Sequence, residues 1–332
     1  MAQCLRNPQR ALSIHSRVDQ FQAIDVRRST RIALAMVIAS SILVTPANGS
    51  IWTVTPLHPL GTASSVALNA GSNTQVGAAS VGGQSHASIW NGSAESWLDL
   101  HPTGAHSSWI SATSNGQQVG TVTISGEFDW HAGLWEGSAE SWIDINPKNA
   151  IASMANGTDG SQQIGEAVIG EQWRAILWNG SAESWIDLTP TGSPEAHGHG
   201  IDGGMQVGWA RVGGVNRASL WNGSSESWVD LNPIGSLWES VAVAISGGQQ
   251  VGYTLIGDPL EAHASLWSGT AESWIDLHPV GAIESFVSGV SNGFQVGAYA
   301  ITNSTHGRRA CLWQGSPESM VDLHQYLPTS YS

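Results

Sequence analysis

Six positions in this sequence pair a basic residue with a recurring aspartate, and that pairing is the first place to look for chemistry. The basic residue stands four positions before a tryptophan, at His86, His131, Arg174, Arg217, His263 and Arg309. An aspartate recurs at the same frequency, at Asp99, Asp144, Asp187, Asp230, Asp276 and Asp322. Apolar residues flank each aspartate, which implies at least partial burial, and a buried charge needs a partner. We therefore expect a basic–aspartate bridge in each copy, locking two strands together. The functional alternative is a ring of cations lining one face. Reversing one aspartate should unfold the protein in the first case and leave it folded in the second.

Chemistry that serves a single site should break the repetition. Asp129, Trp130 and His131 cluster, as do Glu195, His197 and His199. Of these, Asp129, Trp130, Glu195, His197 and His199 are the candidate ligand-contacting positions. The run His197-Gly198-His199 could offer two imidazoles to a metal but would need a third ligand from elsewhere, so no metal is expected. Glu95, Glu140, Glu183, Glu226, Glu272 and Glu318 recur in a turn, without the alternating aspartates of a calcium loop. Signatures of a nucleophile elbow, a P-loop, a dinucleotide fold and a zincin are all absent, so no cofactor is expected. The Asn-Gly-Ser runs at Asn91, Asn179 and Asn222 match a glycosylation acceptor but also form a hairpin turn, which is the reading adopted.

The elements that position these residues come from one repeat. Its first tryptophan recurs at Trp90, Trp135, Trp178, Trp221, Trp267 and Trp313, at spacings of 43 to 46 residues. Seven residues later stand Trp97, Trp142, Trp185, Trp228 and Trp274, with Met320 in the last copy. A closing glycine recurs at Gly77, Gly120, Gly165, Gly208, Gly252 and Gly297. Each unit reads as four short strands. Strand a ends at Leu-Trp, strand b is Trp-Ile-Asp-Leu, strand c is typified by residues 240–245 and strand d by residues 250–255. Asn-Gly, Ser-Gly, Gly-Gly and Pro-x-Gly runs supply the turns. Four strands in roughly 40–50 residues is the size of a propeller blade. The second tryptophan is expected to pack between blades, because Trp is costly to leave exposed.

The two ends carry complementary pieces. Residues 52–77 supply a b-like stretch with c and d, and residues 310–328 supply a and b. A ring in which these fragments share one closing blade would remove exposed sheet edges. The expected fold is all-β, a six-bladed β-propeller with a shared closing blade. A seven-bladed ring is the alternative if Thr53–Pro59 counts as a seventh strand b.

Composition agrees with this architecture. Of the 332 residues, 41% are hydrophobic and 11% charged, with 39 Gly and 17 Trp, which suits short strands and tight turns and not disorder. Six of the twelve Lys and Arg lie in the first 31 positions; beyond residue 49, 24 acidic residues face 6 basic ones, a net charge of −18. Such a surface repels nucleic acid and anionic lipid. Cys311 is the one cysteine beyond the leader, so no intrachain disulfide is expected there, and a buried small hydrophobe is the expected role. Arg27-Arg28-Ser29-Thr30-Arg31 precedes a 13-residue apolar run, Ile32–Val44, and small residues around Ala47 and Gly49. That is the layout of an export signal, and the run is short for a membrane span. The expected organisation is a leader over residues 1–49, a propeller over 50–328 and a tail over 329–332.

The repeat resembles the HAF family of extracellular repeats, named for a His-Ala-Phe motif. That motif stands here as His86-Ala87-Ser88, His131-Ala132-Gly133 and His263-Ala264-Ser265, with Arg-Ala variants at Arg174, Arg217 and Arg309, followed by Leu-Trp, Asp-Leu and Gln-Val-Gly. Phe is missing from every copy, and a Gly-Ser-Ala-Glu-Ser insert lengthens the a–b loop. The resemblance spans residues 52–323 and implies export and a repetitive β fold, with no activity attached. The expected protein is thus a secreted, periplasmic or cell-surface monomer of a bacterium. It would serve as a non-enzymatic binding or surface scaffold for an extracellular ligand, carbohydrate or protein. Two alternatives stand beside it: a hydrolase or lyase acting on polysaccharide, with carboxylates such as Asp129 or Glu195 at the channel mouth, and a multivalent lectin.

Overall fold

A Gln-Val-Gly triplet, Gln-Ile-Gly in the third copy, stands at or next to the start of the second strand of every repeat. In the computed structural model, which describes residues 54–71, 73–126, 129–301 and 307–326, 24 strands form six four-stranded antiparallel sheets. The first sheet runs Ser65–Ala70, Gln75–Val81, Gln84–Trp90 and Leu98–Asp99 in that spatial order. The same plan repeats over residues 107–144, 153–187, 196–230, 240–276 and 284–322. First strands of successive sheets lie against one another and define the axis, as in a six-bladed propeller. No helix among the described residues is long and apolar enough to cross a membrane. The expected leader (residues 1–49, with Cys4) and tail (329–332) lie outside the described residues.

The shared closing blade is corrected by the strand order. Every sheet is made of four consecutive strands, in the order c, d, a, b of the repeat, so the first and last sheets are each complete. What looked like fragments at the two ends came from starting the count at strand a. Strand b also proves short: only two residues of each copy pair, such as Leu98 with Ile89 and Asp99 with Ser88. The b-like stretch before the first sheet forms no strand over its described residues, although Leu57 within it is buried.

In the first five sheets the second strand is covered on both faces, so its burial is continuous, as at Val119, Gly120, Thr121 and Val122. In the sixth, Val296, Gly297 and Ala298 are half-buried. The closing glycine is required by the strand beside it. The first and second strands slip register at a bulge, between Ile110 and Ala112 in the second sheet. A Cβ on Gly120 would sit 2.0 Å from the Trp109 carbonyl oxygen, and the other five closing glycines meet the same obstacle.

The first tryptophans of sheets two to six are wedges between sheets. All six, Trp90 of sheet one included, are essentially fully buried. Trp135 of the second sheet donates its indole N–H to the Leu100 carbonyl at 3.0 Å, and Leu100 belongs to the linker leaving the first sheet. Apolar clusters of this kind join sheets one to two, two to three, three to four, four to five and five to six. Trp142, Trp185, Trp228, Trp274 and Met320 pack half-buried against them. Truncating one wedge such as Trp135 to Ala would cost about 3–5 kcal/mol.

Sheets six and one share no such cluster among the described residues. The first strand of sheet one leaves Leu68, Asn69 and Ala70 exposed, whereas Thr113, Thr158, Ile201 and Ile245, which occupy the Ala70 position elsewhere, are buried. Two glycines at the bulge show the difference directly. A Cβ on Gly200 would meet the backbone of Ala244 in the next sheet at 3.1 Å. On Gly289, its counterpart in sheet six, the same atom would meet only Val296 of its own sheet. The seam between the last and first sheets is therefore open toward the axis.

Candidate functional site

All six basic–aspartate pairs form. His86, His131 and His263 place Nδ1 at 2.7, 2.7 and 2.8 Å from the carboxylates of Asp99, Asp144 and Asp276. Arg217 and Arg309 donate to Asp230 and Asp322 at 2.7 and 2.9 Å, and Arg174 lies 4.0 Å from Asp187. Each aspartate uses its other oxygen to accept the backbone N–H two residues on, as Asp99 does from His101 at 2.9 Å. The pair thus ties the third strand to the linker that starts the next sheet. These carboxylates are less buried than the flanking apolar residues implied, with 20–40% of the side chain exposed.

A second recurring contact would, in isolation, look like a nucleophile and its base. His101 and His278 place Nδ1 within 2.9 Å of the hydroxyls of Ser108 and Ser285, and His58 does the same to Ser65 at 3.0 Å. The His101 Nε2 faces the Ala105 carbonyl at 3.2 Å. A carbonyl can only accept, so Nε2 carries the proton and Nδ1 accepts from Ser108. Burial, and then the neighbouring His86, push the His101 imidazole below its ordinary pKa, which keeps it neutral. The chemistry stops there. Ser108 and Ser285 are fully buried and accept the backbone N–H of Ala87 and Ala264 from the preceding sheet. In sheets three and five Asn146 and Asn232 stand where the histidine would be and accept from Ser153 and Ser240. A base that asparagine replaces is a structural acceptor.

The glutamine of Gln-Val-Gly makes a contact that repeat spacing alone did not reveal. Gln75, Gln118, Gln163, Gln206, Gln250 and Gln295 are all buried. Each accepts, through Oε1, the glycine N–H of the a–b turn at 2.7–2.8 Å. In five of them Nε2 donates to a carbonyl of the c–d turn, as Gln118 does to Gly116 at 2.9 Å. Its invariance among the copies was the available signal.

Beside the open seam, three departures from sixfold repetition bear on a site. In the second sheet, Asp129 accepts from the Ser125 hydroxyl at 2.6 Å and lies 3.4 Å from His131. The Ser125 bond holds its carboxyl below the usual range, and Trp130 begins the third strand beside it. This aspartate braces its own turn.

In the fourth sheet, His197 is buried between carboxylates. Its Nδ1 lies 2.5 Å from Glu166 of the third sheet and its Nε2 3.2 Å from Glu195, which lies 3.8 Å from Arg211. The ring stacks on Trp209 at 4.2 Å and tilts against Trp173 at 5.6 Å. Burial disfavours the charged ring, but Glu166 and then Glu195 outweigh it, and the pKa is pushed up to about 9. His199 turns the other way and donates to the Ala242 carbonyl of the fifth sheet at 3.0 Å. The two imidazoles of His197-Gly198-His199 are thus committed to sheets three and five.

Glu261, His263 and His278 bring three ligand atoms within 4.8 Å of one another, the one such grouping among the described residues. The two rings stack at 3.9 Å with planes 10° apart. Lone pairs of stacked, parallel imidazoles lie in separate planes and cannot converge on one ion. His263 and His278 are moreover committed to Asp276, Ser285 and Ala282. The same stack recurs at His86 and His101, 4.0 Å apart, where Gln84 occupies the position of Glu261.

The third departure is apolar. The linker into the fifth sheet holds Ile234, Leu237 and Trp238 at 73%, 78% and 47% exposure. With Pro233, Thr254, Ile256 and Trp274 they line an open cleft of about 360 Å³. An adjoining lobe of about 280 Å³ is walled by Ile234, Trp274, Ala271 and Glu272. Linker length was the sequence signal: seven steps separate Pro233 from Ser240, against six from Pro102 to Ser108.

No family model matches this chain, and no curated protein does. Its fold is similar to solved structures of low identity. The β-propeller domain of the Trilobed protease from Pyrococcus furiosus, described as having an open velcro topology, matches at TM-score 0.57 and 8% identity, covering 84% of each chain. Puromycin hydrolase, as an S511A mutant complexed with PGG, matches at 0.56 and 12%, covering 81% of this chain and 48% of its own. A prolyl endopeptidase matches at 0.53 and 11%, covering 76% and 41%. The chain thus spans about half the length of the puromycin hydrolase. What these likenesses establish is a propeller fold.

Proposed function

We propose that this chain is an exported, non-enzymatic binding propeller of the HAF-like type, whose ligand seats in the cleft of the fifth sheet. The observation that carries the reading is the contrast between repeated and unrepeated features. Most side chains with catalytic chemistry are bound into contacts that recur around the ring, brace a turn or lie buried. The gathering of Ile234, Leu237 and Trp238 in one cleft, by contrast, occurs once among the described residues, although Leu60 and Val280 are exposed at the Ile234 position of other copies. Exposed Ile, Leu and Trp gathered in one cleft mark an interaction site. Export is supported by the basic and apolar segment Arg27–Val44.

Hydrolysis is the second reading, because propellers occur in the peptidases and the puromycin hydrolase that share the fold. It is the weaker one. The His–Ser contacts are sealed, and Glu166 and Glu195 flank one histidine without a cleft between them. The test is to screen the secreted protein against peptide and glycan arrays, and against amidase and glycosidase substrates, alongside Trp238→Ser. Array signal that Trp238→Ser removes supports binding. Turnover that Trp238→Ser leaves intact would replace this reading with the enzymatic one.

A further inference from the structure

We infer that the cleft of the fifth sheet takes an apolar side chain from a cationic peptide segment; this rests on the cleft being the ligand seat. The lining decides the first half. Its neutral polar side chains, Ser236 and Thr254, are few and engaged within the protein. The Ser236 hydroxyl bonds within its own turn, to the N–H and carbonyl of Trp238. Thr254 is buried, and its hydroxyl is engaged by Ser265 at 3.1 Å. A pyranose seated here would gain few direct hydrogen bonds, because the lining offers little beyond Glu272 and its hydroxyls would stay with solvent. A leucine or aromatic side chain needs none, and it would cover Ile234, Leu237 and Trp238.

Charge decides the second half. Glu272 walls the smaller lobe, and Asp258 follows the lining residue Gly257, whereas Glu239, next to Trp238, is committed to Asn216 and Tyr253. No lining residue is cationic. Beyond residue 49 the chain carries 24 acidic and 6 basic residues, so the surrounding field has the same sign as the rim. An anionic partner would be repelled, whereas Arg or Lys beside the apolar anchor would face Glu272. An open cleft of this size suits one or two side chains of an extended segment.

The experiment is calorimetric titration of the secreted protein with three peptides: Ac-Arg-Leu-Leu-Arg-amide, Ac-Glu-Leu-Leu-Glu-amide and Ac-Arg-Ser-Ser-Arg-amide. The first should bind at least about ten-fold more tightly than the other two, a difference of about 1.4 kcal/mol. Leu237→Ser and Trp238→Ser should each abolish that preference without lowering the melting temperature, since both side chains are exposed. Glu272→Gln should reduce the affinity and its dependence on salt. Equal binding of the acidic twin, or binding that survives both serine variants, overturns the inference. So does Trp238-dependent binding to a glycan array or to vesicles of neutral phosphatidylcholine. Those last two outcomes would leave the binding function standing with another ligand. Loss of all cleft-dependent binding would remove the binding function itself.

Discussion

The Ser65 hydroxyl and the Ala310 amide do not meet, although their counterparts meet at four other seams. Ala87, Ala132, Ala218 and Ala264 each donate a backbone N–H to a serine of the next sheet, at 2.9–3.0 Å. Ser65 holds the corresponding place at the start of sheet one, already bonded to His58. Ala310 holds the donor place in sheet six and is half-buried, whereas the other four alanines are fully buried. The parts of the contact are present and the contact is not made. Local opening should therefore be easiest here, and the Ala310 amide should exchange with solvent on the order of ten-fold faster than that of Ala264, the equivalent of about one hydrogen bond. Hydrogen exchange resolved by residue measures it. Equal protection of the two amides would mean that the seam is shut in solution.

Cross-linking asks the same question by another route. With Cys311→Ala removing the native thiol, Gly200→Cys with Ala244→Cys places two thiols across the seam of sheets four and five, where the backbones are in contact. Asn69→Cys with Gly289→Cys does so across the open seam. A disulfide needs Cα atoms within about 7 Å. The first pair should oxidise readily and the second slowly or not at all, as read by thiol titration after mild oxidation. Matching rates would show that the first and last sheets come together.

Much of the fold was legible because the repeat writes each contact six times. A single Trp or Asp would say little, but Trp90 through Trp313 and Asp99 through Asp322 recur with fixed neighbours. Packing of one copy against the next then accounts for the spacing. Two things were harder to read. The phase of the blade depends on which hairpin is hydrogen-bonded first, and a periodic sequence carries no mark of where a period begins. The cleft depends on one extra residue between Pro233 and Ser240 and on side chains, Leu237 and Trp238, that periodicity treats as noise. Among the five singled-out positions, Glu195 and His197 share one network, Asp129 and Trp130 sit together in another sheet, and His199 stands alone. Plain alternation would put the two histidines on one face; the bulge between Gly198 and Gly200 turns His199 away.

The buried glutamine should matter more than the charged aspartate. Gln118→Ala would strip the Gly137 N–H and the Gly116 carbonyl of their partner inside the protein, costing about 2–3 kcal/mol. Asp144→Ala removes a half-exposed pair with His131 and one turn contact, costing about 1 kcal/mol. Urea denaturation of the two variants gives the order directly. The reverse order would make the basic–aspartate pair the stronger lock, and outright unfolding of Asp144→Ala would restore the expectation drawn from the flanking apolar residues.

His197 should give the protein an alkaline limit. Its folded pKa, about 9, lies above the ordinary value near 6.5, so the stabilisation is complete below about pH 6.5 and is lost as pH rises through 9. The difference corresponds to about 3 kcal/mol. His101 and His278 shift the other way, first because they are buried and second because each faces another histidine, so their contribution is lost on acidification. Sheet one fills the positions of Glu166 and His197 with Ala78 and Val66, which shows what the fold accepts there. The double variant Glu166→Ala with His197→Val should then fold, lose the alkaline decline between pH 7 and 10, and keep the acid one. Glu166→Ala alone leaves a buried imidazolium beside Trp209 and should cost about 3–5 kcal/mol near neutrality. Stability measured by chemical denaturation across that pH range decides it: an alkaline limb that persists in the double variant would assign the transition to another group.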